Sequence, residues 1–128
     1  MDLRQHYQHL CSEERGAHNN FRKPNRFALV YPSTYALGMS SLGVQVMYAT
    51  LNSREDTGCE RVFVPELDYL RKLAAQKKAL FSFETQTALN QFDIIGFSVS
   101  FESDYVNIPR TLELANIPPL AEARTEWD

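Results

Sequence analysis

Hydroxyl side chains gather in two short segments of this chain, and both lie where a bound ligand would want them. The first is Pro32-Ser33-Thr34-Tyr35-Ala36-Leu37-Gly38-Met39-Ser40-Ser41. Backbone N–H groups opening a helix near Ser40, with Ser33, Thr34, Gly38 and Ser41 around them, suit a phosphate or the polar edge of a cofactor. The plainer reading makes Ser40 or Ser41 a helix N-cap and Gly38 a turn. Gly38 to Gly43 has the G-x-x-x-x-G spacing of a phosphate loop, but Val44-Gln45 follows where Lys and Ser or Thr are required, so nucleotide hydrolysis of that type is excluded. The G-x-G-x-x-G dinucleotide fingerprint is missing too. The second segment, Ser98-Val99-Ser100-Phe101-Glu102-Ser103-Asp104, sets carboxylates beside hydroxyls. Helix capping by Ser103 or Asp104 accounts for it, and no catalytic residue is assigned because paired carboxylates need opposed environments to act as acid and base. His6, His9 and Cys11 form the one cluster of metal-ligand types, yet they fall in a polar stretch with no core to fix a geometry, so no metal site is expected. Cys11 and Cys59 read as free thiols.

The elements that must position these segments alternate. Phe27-Ala28-Leu29-Val30-Tyr31 is a continuous apolar run stopped by Pro32, as in a strand buried on both faces. A helix follows from Ser40 or Ser41 to about Asn52, its apolar face formed by Leu42, Val46, Ala49 and Leu51. Arg61-Val62-Phe63-Val64 makes a short strand, and Glu66 to Lys78 a second helix with Leu67, Leu70, Leu73 and Ala74 at helical spacing. Leu80-Phe81-Ser82-Phe83 reads as a weak edge strand. Phe92 to Ser100 is the clearest buried strand, and Leu112, Leu114 and Ala115 need a helix between about Asn107 and Asn116. Residues 1–26 are polar and read as a solvated N-terminal arm, 27–120 as the folded part, and 121–128 as a tail or the start of a linker. Strands alternating with helices imply right-handed crossovers, so the expected class is α/β, a Rossmann-like (flavodoxin-like or cobalamin-binding-like) three-layer sandwich with a parallel sheet. Three convincing strands are too few to finish such a sheet, and an open edge at 92–100 is expected to favour self-association.

Composition narrows the function. The 128 residues carry 13 Lys or Arg against 16 Asp or Glu, a net charge of −3, with 44% hydrophobic and 23% charged residues. One globular domain fits these values. A chain without a basic surplus offers no footprint for nucleic acid, and no run approaches a membrane span or a signal peptide. A soluble, cytoplasmic location is expected.

The stretch from Phe27 to Gln45 resembles the opening of a family of radical SAM proteins with an N-terminal cobalamin-binding-like domain. The resemblance continues in order through Glu60-Arg61-Val62-Phe63-Val64-Pro65, Leu80-Phe81-Ser82-Phe83-Glu84, Phe92 to Ser98, Tyr105-Val106-Asn107-Ile108 and Leu114-Ala115-Asn116-Ile117-Pro118, and Gly16-Ala17-His18-Asn19-Asn20 is similar to its Gly-x-Glu-x-Asn arm. It implies an accessory domain of an enzyme whose C-x-x-x-C-x-x-C motif binds a four-iron four-sulfur cluster and cleaves S-adenosylmethionine. That motif is absent here, since Cys11 and Cys59 are the only cysteines. No cofactor is therefore expected on this chain, which by itself is not expected to be catalytic. The cobalamin signature D-x-H-x-x-G is also absent after Tyr31, which leaves only binding without a protein ligand to cobalt. If such binding occurs, the expected contacts are Ser33, Thr34, Ser98 and Ser100, at the carboxyl ends of adjacent strands, with Gly38 and Ser40 from the first loop. The implied partner is a radical SAM domain in cis. The alternative is a noncatalytic module that binds a protein partner through the sheet edge and the N-terminal arm.

Overall fold

A computed structural model describes residues 1–16, 19–126 and 128. Three parallel strands, β1 (Asn25–Tyr31), β2 (Thr57–Phe63) and β3 (Ile94–Phe97), form an open sheet in the order β2-β1-β3. Ala28 pairs with Glu60 on one side and Ile95 on the other, so β1 is central, as its unbroken apolar run requires. Helices α2 (Tyr35–Met39) and α3 (Leu42–Asn52) connect β1 to β2, and α4 (Leu67–Ala75) lies between β2 and β3. The crossover from β1 to β2 and the return from β2 past β1 to β3 run in opposite directions, so right-handed connections put these helices on opposite faces, which is the α/β Rossmann-like layering expected. A 3₁₀ turn over Glu102–Val106 leads into α5 (Asn107–Leu114), with Pro109 in its first turn where a missing N–H costs nothing.

The N-terminal stretch is not a solvated arm. Residues Leu3–Glu13 form α1, opened by a capping box in which Asp2 accepts from the Gln5 N–H and Gln5 accepts from the Asp2 N–H. Leu3 and Tyr7 are core residues and Leu10 packs against the core, a spacing of four and three that a polar majority of residues disguises. Tyr7 meets Phe81 and Phe83 edge-on at 5.9 and 5.1 Å between centroids.

Other expectations shift. The inward side of α3 is Val44, with Tyr48 and Leu51 packed on the core, whereas Leu42 and Val46 are 77% and 54% exposed. Both sides of this helix are apolar, so the hydrophobic pattern cannot set its phase; Ser41, the N-cap whose Oγ accepts from the Val44 N–H, does. Strand β2 starts four residues earlier than expected because Thr57 to Glu60 pair with Asn25 to Ala28. Helix α4 stops at Ala75, three residues short of Lys78, and Lys77 turns the chain at φ 52°. Leu80 to Phe83 is buried but forms only an isolated bridge, Phe81 to Ala88. The region 92–100 contributes only Ile94–Phe97, and this strand is the most exposed of the three, since it has one neighbour. The fully buried strand is β2.

That burial at an edge is explained by what covers it. The Asn52 side-chain amide donates to the Cys59 carbonyl at 3.0 Å and accepts from the Cys59 N–H at 2.9 Å, doing what a neighbouring strand would do. Two residues on, the Arg61 carbonyl accepts from the Phe83 N–H at 2.8 Å and the Arg61 N–H donates to the Glu84 carboxylate at 2.8 Å. Gly58 lets the backbone of Phe21 cross β2; a Cβ there would stand 2.5 Å from the Phe21 carbonyl oxygen.

Candidate functional site

The carboxyl ends of β1 and β3 flank the point where the sheet order reverses, the usual ligand crevice of such folds. Ser33 and Thr34 follow β1, and Ser98 and Ser100 follow β3. The loops are tied together, for the Ser98 N–H donates to the Val30 carbonyl and Asn107 Nδ2 to the Pro32 carbonyl at 3.0 Å. Ser33 turns inward on the backbone, its carbonyl accepting from the Val64 N–H at 2.8 Å. Thr34 is the N-cap residue of α2 and makes no side-chain cap bond. Ser100 is exposed. Gly38 lies within α2 and Ser40 is its C-cap residue, and both are used internally. Gly38 is buried, and a Cβ on it would stand 2.4 Å from the Phe63 ring, so its glycine character is required by packing. The Ser40 hydroxyl donates to the Ala36 carbonyl at 3.1 Å. Ser103 and Asp104 sit inside the 3₁₀ turn, whose N-cap is Phe101.

A second concentration of chemistry, invisible to spacing in the sequence, surrounds Arg61. Its Nε donates to Glu84 at 2.6 Å and its Nη2 to Glu14 at 2.8 Å, Nη1 lies 3.3 Å from Met39 Sδ, and the guanidinium lies over the rings of Tyr48 and Phe83 at 4.4 and 5.1 Å. Tyr35 donates its hydroxyl to the other Glu14 oxygen at 2.9 Å. Side chains from α1's C-terminal end, α2, α3 and the 83–85 turn thus converge on one cation of β2. Burial pushes the Glu84 carboxyl up from its ordinary range, against the pull of Arg61. The carboxylates in turn hold Arg61 charged despite its burial. Burial is also the main cause that pushes the thiols of Cys11 and Cys59 up to about 12 and the phenols of Tyr7, Tyr35 and Tyr48 above their usual value. Beside this hub lies a cavity of about 610 Å³ lined by Glu14, Arg15, Tyr35, Gln45, Tyr48 and Arg61 among others. Nearby, Glu60 is fully buried on β2 and fully engaged. It accepts from Arg26 at 2.8 Å, Ser82 at 2.9 Å and the Thr85 hydroxyl at 2.6 Å. The signal that could have found both groups is a charged pair, Glu60-Arg61, inside an otherwise apolar strand.

A metal has little to hold it. Among the described residues no group of three or more His, Cys, Asp or Glu is placed to bind an ion. His6 stacks on Tyr69 at 4.9 Å, His9 faces Glu13 across one helical turn at 3.6 Å, and Cys11 Sγ donates to the Phe83 carbonyl at 3.7 Å, so the three do not converge. His18 lies outside the described residues. Also among the described residues, no helix is long and apolar enough to cross a membrane.

The parallel order β2-β1-β3 with helices on both faces defines an α/β, Rossmann-like domain with an open sheet. The family model described as radical SAM proteins, N-terminal, matches residues 43–128, well over half of the chain, from the first turn of α3 through the C-terminal segment; the chain belongs to this family. No curated protein matches it. No solved structure matches it either.

The family implies an iron–sulfur cluster and S-adenosylmethionine in the parent protein. The residues of this chain do not fit the cluster. Its two thiols are placed separately, Cys59 buried in β2 and Cys11 bonded to a backbone carbonyl, and a third thiolate is lacking. Nor do they fit a His-ligated cobalamin, since the residues after β1 are Pro32-Ser33-Thr34-Tyr35 and both described histidines are on α1.

Proposed function

We propose that this chain is a noncatalytic, cobalamin-binding-like accessory domain of a radical SAM enzyme, and that the β1/β3 crevice, with Ser33, Thr34, Ser98 and Ser100, is the surface it turns toward the chemistry done by the rest of that enzyme. The observation that carries this reading is the family match over 43–128 on a sheet whose order reverses at β1. Supporting it, the buried charges around Arg61 and Glu60 are paired with one another and so suit a scaffold better than a reaction centre. The cluster and S-adenosylmethionine belong, in this reading, to the radical SAM portion.

Two measurements test it. Translation of the genomic reading frames adjoining this coding sequence should reveal a C-x-x-x-C-x-x-C motif; a locus without one removes the parent enzyme. Mixed with hydroxocobalamin and desalted, the chain should retain no corrin absorbance, because no histidine follows β1. Retention with a shifted visible spectrum would show that the domain itself carries the cofactor.

A further inference from the structure

Helix α1 rests on a seat that does not fit it closely. Leu3 and Tyr7 are buried and Leu10 and Cys11 pack against the core, whereas Arg4, Gln5, Gln8, His9, Ser12 and Glu13 face water. Two cavities run along that narrow contact. One of about 170 Å³ lies between Leu3, His6 and Tyr7 of α1 and Tyr35, Val64 and Tyr69 of the body. The other, of about 610 Å³, lies between Leu10, Glu13 and Glu14 and Tyr35, Gln45 and Tyr48. Closely packed interiors leave few voids larger than a water molecule, and atoms that line a void forgo their dispersion contacts.

The polar group at the centre of the contact is unmet as well. Tyr7 Oη is buried without a hydrogen-bond partner, a cost to the seated helix that water would relieve once the helix left. Among the described residues no main-chain hydrogen bond joins residues 1–16 to the rest of the chain. The polar ties run through side chains: Glu14 accepts from Arg61 and Tyr35, the weak donor Cys11 Sγ lies 3.7 Å from the Phe83 carbonyl, and Lys72 Nζ donates to the Met1 carbonyl at 3.0 Å. Just past Glu14 the chain turns at Gly16, whose φ of 139° favours glycine and whose surroundings are open, with nothing within 4 Å of an added Cβ. Strands β1 and β2, in contrast, pair along their whole lengths.

We propose that α1 is a strap that leaves the rest of the fold as one unit, pivoting at Gly16, while the sheet stays formed. An isolated helix of eleven residues does not hold together in water, so its N–H groups exchange with solvent when it leaves. Because α1 walls both cavities and Tyr35 lines both, opening joins them into one groove. It also bares the rings of Phe81 and Phe83 that meet Tyr7, and leaves Arg61 with Glu84 as its remaining carboxylate. Seated, α1 controls access to the buried cation. The inference goes beyond the accessory-domain reading and does not depend on it.

Native-state hydrogen exchange of the 128-residue chain, read residue by residue by NMR below the urea transition, tests it. Amides 6–13 should share one opening equilibrium, at least about a hundredfold more populated than that of β1 and β2 and only weakly dependent on urea. Tyr7→Phe, which deletes the orphan hydroxyl, should raise their protection at least about fivefold. Asn52→Ala weakens the β2 edge whether α1 is seated or released, so it should lower protection at Cys59 about tenfold and leave that of α1 unchanged. If α1 matches β2 in protection and urea dependence, or falls with it in Asn52→Ala, the helix comes away only on global unfolding and the proposal is overturned. Protection graded from one end of α1, which is fraying, or a Tyr7→Phe chain no better protected than the wild type, overturns it too.

Discussion

On one side of β1 lies a strand of seven buried residues whose outer edge is closed by Asn52, Phe83 and Glu84; on the other lies a strand of four, half-exposed, with no further strand among the described residues. The closed side also holds the long aromatic and ionic contacts: Tyr7, Tyr35, Phe63 and Phe83 pack ring to ring, and Arg61 joins Glu14 to Glu84. The difference shows that a sheet edge can be buried without another strand, provided side chains supply the missing hydrogen bonds and counter-charges. It also says where the molecule's stability is concentrated.

The largest effect should come from Arg61→Met. Removing the cation leaves Glu84, 7% exposed in its side chain, without its partner, and should cost about 3–5 kcal/mol in urea unfolding. A loss below about 1 kcal/mol would mean that the closed side does not depend on its charges. Alkali should attack the same side. Cys11 and Cys59 are pushed up to about 12, and the phenols of Tyr7, Tyr35 and Tyr48 are shifted upward, so these groups stay protonated in the folded chain at pH values where the unfolded chain has lost its protons. The folded state then binds more protons, and stability must fall as pH rises above about 9. Urea midpoints between pH 8 and pH 11 would show the decline; a flat profile would contradict the burial that raises these groups. Asn52→Ala, which strands the N–H and carbonyl of Cys59, should cost about 1–2 kcal/mol and speed hydrogen exchange at Cys59. The smallest effect should be at the open side, where Ile94→Lys, at a position 50% exposed, should change the unfolding free energy by less than about 0.5 kcal/mol. A larger loss would show that the β3 edge is covered after all.

How much of this was legible in the sequence follows from how each element announces itself. The strand at Phe27 to Tyr31 and the helix from Ser41 to Asn52 are marked by an unbroken apolar run, a proline stop and a serine cap, all local signals. The phase of α3 was not legible, because Leu42 and Val46 are as apolar as Val44 and Leu51 and the pattern has no contrast. Helix α1 was missed for the opposite reason: Leu3, Tyr7 and Leu10 are a thin stripe among polar residues. The loops carrying Ser33, Thr34, Ser98 and Ser100 were placed correctly at strand ends by chain order alone, whereas the internal uses of Gly38 and Ser40 depend on Phe63 and on the turn of α2. The Arg61 hub shows locally only as the charged pair Glu60-Arg61 within a buried strand, and nothing local names its partners. Glu14 is 47 residues before it and Glu84 is 23 after it, distances at which charge pairing leaves no periodic trace.

The amide of Asn52 carries a consequence for how this chain can misassemble. Runaway cross-β growth needs two sticky edges per molecule, so that each added copy offers a new end. Here the β2 edge is already occupied by the chain's own side chains at Cys59 and Arg61, and among the described residues β3 is the edge left to recruit a strand. Two copies joined edge to edge through β3 would leave neither with an open sheet edge among the described residues, and growth by strand pairing would stop at two. Asn52 therefore acts as a chain terminator: without it, a molecule with one open end comes closer to having two.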